Sequence, residues 1–360
     1  MTEESVDTFR ARAAAWLTQN RQHAPRDYGA ICPPDLVSEA KKWQRLIFDS
    51  GFAGIHWPTE HGGQGLSPAH HGAWVEECAK LGVPPVLNMV GLVLAGGAVM
   101  TFGTDELKKQ HLRSTLNADN VWCQLFSEPG SGSDFAGLSA KGEKDGDEWI
   151  CNGQKVWTTL AHLSRFGLLV VRTDADAVKH AGLTAFVVDM QAPGVEVRPL
   201  RQMTGEAEFN EVYFTDVRIA EAEMLGNPGD GWRVSLTTLM NERVSIGGSI
   251  PQQGSGSIAI AVKEWKALPE DRRDASTRDE LMQLWIRAEV HRLTNIRANA
   301  QRRMGAPGPE GSIGKMESAN LNKDVYAFAI GLMGADGMLW GSDAIDDGYW
   351  QTMVFMGQWM

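Results

Sequence analysis

Two short segments carry residue types that could hold a flat, charged ligand. SEPGSGSD (Ser127 to Asp134) follows a stretch that reads as a strand. Its glycines at 130 and 132 would let a ligand approach the backbone closely, and Ser127, Ser131 and Ser133 offer hydroxyl donors. NGQKVWTT (Asn152 to Thr159) reads as a strand entered from a tight turn, with Trp157 beside two threonines. A flat indole flanked by hydroxyls suits one face and edge of a planar heteroaromatic ring. Each segment also has a plainer reading, a Gly/Ser surface turn and a hairpin with a core Trp, in a chain holding 13 Trp. A dinucleotide fold of the Rossmann kind is excluded: GxGxxG is missing, and no helix follows to face a pyrophosphate.

LMNERVSIGG places Glu242 beside Arg243 on a helix. A solvated ion pair is the plainer reading. His56, His61, His70 and His71 have no carboxylate or cysteine at ligand spacing and no HExxH motif, so no metal site is expected. The late Met333, Met338, Trp340, Trp350, Met353 and Met356 read as core and oligomer interface.

These segments need elements to position them. The spacing of Leu36, Ala40, Trp43 and Ile47 predicts an amphipathic helix, and GFAGIHWPTEHGGQGLS a long ordered loop. Helical signals return at HHGAWVEECAKLG and run to DELKKQHLRSTL. Between them Val83 to Gly103 imitates a membrane span, but its prolines and glycines favour a buried core helix. After Asn120 the period changes: VWCQLFSE, WICNGQKVWTT, FGLLVVRTD, LTAFVVDM, VEVRPL and EVYFTDVRI read as strands, with KDGDEW and CNGQK as turns. No helical spacing lies between them, which predicts an antiparallel barrel or sandwich. Helical periods resume at 231–263, 277–304, about 313–335 and from about 343. The expected domains are 1–120, 121–230 and 231–360.

Composition narrows the function classes. The 360 residues exceed what one hydrophobic core usually organises. A net charge of −11 disfavours nucleic-acid binding. Four cysteines without CxxC spacing fit reduced thiols, and the N-terminus lacks an export signal, so a soluble cytoplasmic protein is expected.

In order along the chain, WQRLIFDSGFAGIHWPTEHGGQGLS, VEECAKLG, FGTDELKKQHL, FSEPGSGSD, NGQKVWTT and VYFTDVRIAEAEMLGNPGDGW resemble the acyl-CoA dehydrogenase family. The resemblance implies an α+β fold: an N-terminal helical domain, a middle antiparallel β-barrel-like domain and a C-terminal four-helix bundle. It implies FAD as cofactor, an acyl-CoA substrate oxidised at its α–β bond, an electron-accepting flavoprotein as partner, and a homo- or hetero-tetramer engaged in lipid metabolism such as fatty-acid β-oxidation. Ser127 matches the hydroxyl residue at the flavin ring, with Phe126 and Gly132 beside it. Ser133 matches the serine near pantetheine and the flavin phosphates, while Trp157 and Thr159 match residues at the isoalloxazine. Thr158 stands where an apolar residue is usual, so only its backbone is expected to matter. Glu242 matches one of two positions used for the catalytic base, and Arg243 the family's arginine, with Asn241 beside it lining the substrate site.

Two departures imply alternatives. AVKEWKALPEDRRDASTRDEL lacks the Arg-x-x-Phe-Gly element, and GQWM ends the chain before the expected late glycine-rich loop. Either the chain is cut short or the subunit relies on an unlike partner, as in some actinobacterial members. An acyl-CoA oxidase or flavin monooxygenase relative is the third reading, though a monooxygenase has no need of a Glu at the base position.

Overall fold

The structure is a computed structural model describing residues 4–26, 28, 31–247, 250, 252–304 and 308–357, with backbone alone for 241–247, 302–303 and 357. Helices α1 (Val6–Asn20), α2 (Val37–Asp49), α3 (Pro68–Lys80), α4 (Gly96–Phe102) and α5 (Asp105–Leu116) precede the sheet. Ser5 Oγ caps α1 by accepting from Thr8 N at 3.2 Å, and Thr104 Oγ1 caps α5 from Leu107 N at 3.3 Å. Ala40, Trp43 and Ile47 line the buried face of α2, with Leu36 buried just before it. Trp43 stacks on Trp16, and Phe52 on Trp74, with ring centroids 5.5 and 4.7 Å apart. The stretch resembling a membrane span holds a wide helical turn, Val90–Ala95, that runs into α4. Gly96 permits this packing, because a Cβ there would stand 2.4 Å from the Trp57 ring. No described helix is long and apolar enough to cross a membrane.

Eight strands follow: β1 (Trp122–Leu125), β2 (Lys141–Asp145), β3 (Glu148–Thr159), β4 (Phe166–Arg172), β5 (Leu183–Asp189), β6 (Val195–Leu200), β7 (Phe209–Ala220) and β8 (Met224–Leu225). Their order is β6-β7-β3-β2-β4-β5-β8, with β1 beside β4. The sheet is not purely antiparallel as expected. β1 runs parallel to β4, and β2 touches β4 in parallel at Lys141↔Arg172. The β2–β3 hairpin lies between β1 and β4 in the chain, and so long a connection permits parallel pairing. Opposite faces of β4 and β5 feed two cores. Leu168, Val170, Ala185 and Val187 pack with the helical segment, while Leu169, Val171, Phe186 and Val188 pack with Trp149, Val212 and Phe214.

CNGQK is not a turn. Asn152 and Gly153 lie inside β3, at a register shift against β7. Gly153 has φ +148°, and a Cβ there would meet Ala140 Cβ at 2.5 Å, so the bare backbone is what lets the strand pass.

The chain forms two compact units, Met1–Gln202 with Ala207–Asn241, and Met203–Glu206 with Glu242–Met360. The single helix expected over 231–263 is two, α6 (Gly231–Gly247) and α7 (Ser257–Ala267). Gly254 and Gly256, at φ +71° and +80°, lie in the break, where a helix would need right-handed backbone. In the second unit α7, α8 (Ala275–Arg303) and α9 (Glu310–Met333) share a core of Ile258, Ala261, Leu281, Leu284, Leu321, Val325, Phe328 and Leu332. The last helix, α10 (Tyr349–Gly357), begins later than expected, after short turns in which Asp346 and Asp347 are left-handed. It meets α9 through Trp350 and Tyr326.

Candidate functional site

The two chemistry-bearing segments meet at a bulge. β3 pairs with β7 at Lys155↔Val212 and resumes at Thr158↔Asn210, so three steps on β3 oppose two on β7. One residue is therefore extra. Within the bulge Val156 N donates to Ser127 O at 2.9 Å, joining the strand to the start of the SEPGSGSD loop. Trp157 has φ +60° and is 59% exposed between buried Val156 and Thr158. Left-handed backbone costs a non-glycine residue roughly 1–2 kcal/mol, so the local fold holds Trp157 against a preference.

Thr158 is 1% exposed. Its carbonyl accepts from Asn210 Nδ2 at 3.0 Å, whereas its Oγ1 is buried without a hydrogen-bond partner. Such an orphaned hydroxyl is unfavourable unless something else reaches it. Thr159 continues the ladder opposite Phe209. Phe126 is buried, and its ring meets that of Phe135 at a tilt, 5.1 Å between ring centroids.

The loop from Glu128 to Ala140 is tied at its base and bare at its tip. Ser131 Oγ donates to Asp134 O at 2.6 Å, so this hydroxyl serves the loop itself. Arg172 Nη2 donates to Ala136 O at 2.7 Å, and Lys179 Nζ lies 2.6 Å from Asp134 Oδ2. Ser133 and Gly132 are exposed, and a Cβ at Gly130 or Gly132 would meet nothing within 4 Å.

Beneath both segments lies an ion pair that the sequence reading passed over. Lys155 is fully buried, with Nζ 2.8 Å from Glu128 Oε1 and 3.1 Å from Phe126 O. Glu128 Oε1 also accepts from Ala140 N at 2.9 Å, and Oε2 from Ser139 N and Oγ at 2.6 and 2.8 Å. Burial pushes the Lys155 ammonium down to about 8, although the Glu128 charge opposes the fall. Burial alone would raise the Glu128 carboxyl, but Lys155 and the two loop amides outweigh it and hold it below its ordinary value. The only signal in sequence was an acid in one motif and a base in the other.

Asn241, Glu242 and Arg243 fall on the α6 backbone, and their side chains lie outside the described residues. Among the described residues no group of three or more His, Cys, Asp or Glu could hold a metal ion. His70 is engaged locally, with Ser67 Oγ and Glu4 O each 2.8 Å from a ring nitrogen.

Phe126, Ser127, Trp157, Thr158 and Thr159 are thus brought together, with Gly132 and Ser133 on the same loop. An exposed indole, an orphaned hydroxyl and bare loop backbone fit a planar ring system with a polar edge and a phosphate-bearing tail. Residues 3–119 match the acyl-CoA dehydrogenase N-terminal domain, 123–217 the middle domain and 229–355 the C-terminal domain. The chain belongs to the acyl-CoA dehydrogenase family. It is an acyl-CoA dehydrogenase with FAD as its cofactor, and the residues gathered at the bulge suit a flavin. The acyl-CoA dehydrogenase IpdE1 of Mycobacterium tuberculosis is 35% identical, over 97% of this chain and 91% of that protein. Among solved structures, the Tcur3481-Tcur3483 steroid acyl-CoA dehydrogenase is similar with a TM-score of 0.79 at 24% identity, covering 98% of this chain and 91% of the other. The ChsE4-ChsE5 complex from Mycobacterium tuberculosis gives 0.76 at 24%, covering 99% and 93%. Both share the acyl-CoA dehydrogenase fold.

Proposed function

We propose that this acyl-CoA dehydrogenase converts an acyl-CoA thioester to its trans-2-enoyl-CoA, with Ser127, Trp157, Thr158 and Thr159 holding the flavin ring. When bound, FAD supplies the acceptor for the hydride that leaves the β-carbon. Phe126 supports the ring site from below, and Gly132 and Ser133 offer bare backbone and a hydroxyl to the phosphates and pantetheine. Trp157 covers a ring face and keeps water off it, which strengthens every charge interaction there. Glu242 is the base that takes the α-proton, a transfer that contributes typically 10²–10⁴-fold. The task calls for a carboxyl whose pKa is raised towards working pH, as burial away from water would raise it. Asn241 and Arg243 flank Glu242 on α6 and line the thioester's surroundings. Electrons pass on to a flavoprotein acceptor, and the assembly is a cytoplasmic homo- or hetero-tetramer working in acyl-CoA breakdown such as fatty-acid β-oxidation.

The observation that carries this reading is the Val156–Ser127 hydrogen bond, which puts the two flavin segments side by side. Anaerobic incubation of FAD-loaded protein with a panel of acyl-CoA thioesters tests it. One member losing two hydrogens by mass spectrometry supports the reading, and an unchanged panel opposes it.

A second reading has specific support: this chain is one subunit of a hetero-oligomeric dehydrogenase. The stretch 261–281 lacks Arg-x-x-Phe-Gly, and two similar solved structures carry paired names. A protein that stays colourless in FAD alone, and binds it when co-expressed with an unlike homologue, would favour this arrangement.

A further inference from the structure

The Glu128–Lys155 pair sits where ion pairs are expensive. Both side chains are nearly shut off from water, at 4% and 0% exposure. Two apolar side chains of similar volume would fill such a place as stably, and often more so. What apolar side chains cannot do is make directional bonds. The Glu128 carboxylate accepts four hydrogen bonds, from Lys155 Nζ, Ala140 N, Ser139 N and Ser139 Oγ, which uses its full acceptor capacity. Two of these groups are main-chain amides at the far end of the loop that Glu128 begins, so the carboxylate closes the loop's base. Lys155 performs the complementary act on the strand. Its Nζ reaches Phe126 O, the carbonyl just before Ser127, while its own residue is the last to pair with β7 before the bulge.

We propose that Glu128 and Lys155 are positioning residues that fix the Glu128–Ala140 loop against the β3 bulge, and so set where Ser127 and Ser133 stand relative to Trp157. Neither touches the substrate; the pair acts through the residues it holds. The inference rests on the flavin reading of this site for its consequence, but not for its structural half. Within the bulge one main-chain bond, Val156 N to Ser127 O, joins the two, while Arg172 and Lys179 tie the loop to chain outside β3. The ion pair adds bonds on both sides of it.

The test uses the full chain with the double variant Lys155→Met/Glu128→Leu, which leaves no unpaired buried charge, and the mild variant Ser139→Ala, which removes only one hydroxyl bond to Glu128. Two readouts are taken. Hydrogen–deuterium exchange of the apoprotein should be at least tenfold faster in residues 128–140 and 153–159 of the double variant, with exchange in β4 and β5 unchanged. Equilibrium titration with FAD should show a Kd raised at least tenfold in the double variant and about threefold in Ser139→Ala. Exchange at the wild-type rate in both variants would overturn the proposal. So would faster loop exchange with FAD affinity kept, which would leave the pair a structural brace without effect on the site. If the double variant fails to fold, Ser139→Ala decides alone, and wild-type exchange and Kd there overturn the proposal. A wild-type protein that takes up no FAD would count against the flavin reading instead, while the exchange measurement still judges the pair.

Discussion

Val156 N and Ser127 O lie 2.9 Å apart, and through this bond two segments separated by most of a β-hairpin become one surface. The bond exists because β3 carries one residue more than β7 between Lys155 and Thr158. A regular ladder would have turned the Val156 N–H elsewhere and hidden the indole of Trp157. The bulge therefore re-aims a side chain, a common use of bulges beside active sites.

Replacing Trp157 with glycine separates its two roles. Glycine relieves the left-handed strain but loosens the unfolded chain, effects of roughly 1 kcal/mol each and of opposite sign. The apoprotein should keep its urea stability within about 1 kcal/mol, while FAD binds at least tenfold more weakly. A large stability loss with unchanged FAD affinity would show that the indole is a structural residue.

Thr158→Val removes an orphaned hydroxyl while keeping the shape. In the apoprotein this should stabilise by about 1 kcal/mol, because no buried donor is left unsatisfied. FAD affinity should fall by roughly three- to tenfold, the worth of one modest hydrogen bond. Unchanged affinity would return the role to the Thr158 backbone, whose carbonyl Asn210 already engages.

Gly153→Ala should be severe although alanine is small. The new methyl would press on Ala140 at 2.5 Å in a backbone region disfavoured for side chains. A loss of about 2–4 kcal/mol is expected from overpacking and strain together, read by urea denaturation. A loss under about 1 kcal/mol would mean that β2 and β3 separate freely there.

That position also shows where sequence reading stops. Asn152–Gly153 has the composition of a turn, and only the approach of Ala140 from β2 makes it a bulge within one strand. The buried face of α2 and six of the strands were legible because their periods are local. The charged strand KGEKD (Lys141 to Asp145) was not, since its pairing with β3 rather than its composition makes it a strand. The parallel contact of β1 with β4 and the Glu128–Lys155 pair join residues 27 or more positions apart, and no local pattern records them. SEPGSGSD and NGQKVWTT were legible as motifs; the bulge that presents Trp157 was not.

Lys155 gives the stability a pH signature. Its folded pKa is pushed down to about 8 from the ordinary 10.5. Between those values the unfolded chain holds a proton that the folded protein has released, so stability rises with pH. The groups acting on it are Glu128, ionised throughout this range, and Cys151, whose thiol burial pushes up to about 12 and so keeps neutral. Wild type should therefore gain on Lys155→Met from pH 8 to 10.5, by at most about 1.4 kcal/mol per pH unit. Urea denaturation of both proteins across that range checks it, and a constant difference would contradict the lowered pKa.

The most direct test is the visible absorbance of the FAD-loaded protein, alone or co-expressed with an unlike homologue, when acyl-CoA is added without oxygen. The flavin band should bleach in the wild type, and Glu242→Gln should bind FAD equally well yet bleach at least about 100-fold more slowly, as expected for loss of a general base. Bleaching of Glu242→Gln at the wild-type rate would remove Glu242 from the chemistry. A wild-type flavin band untouched by every acyl-CoA offered would contradict the account itself.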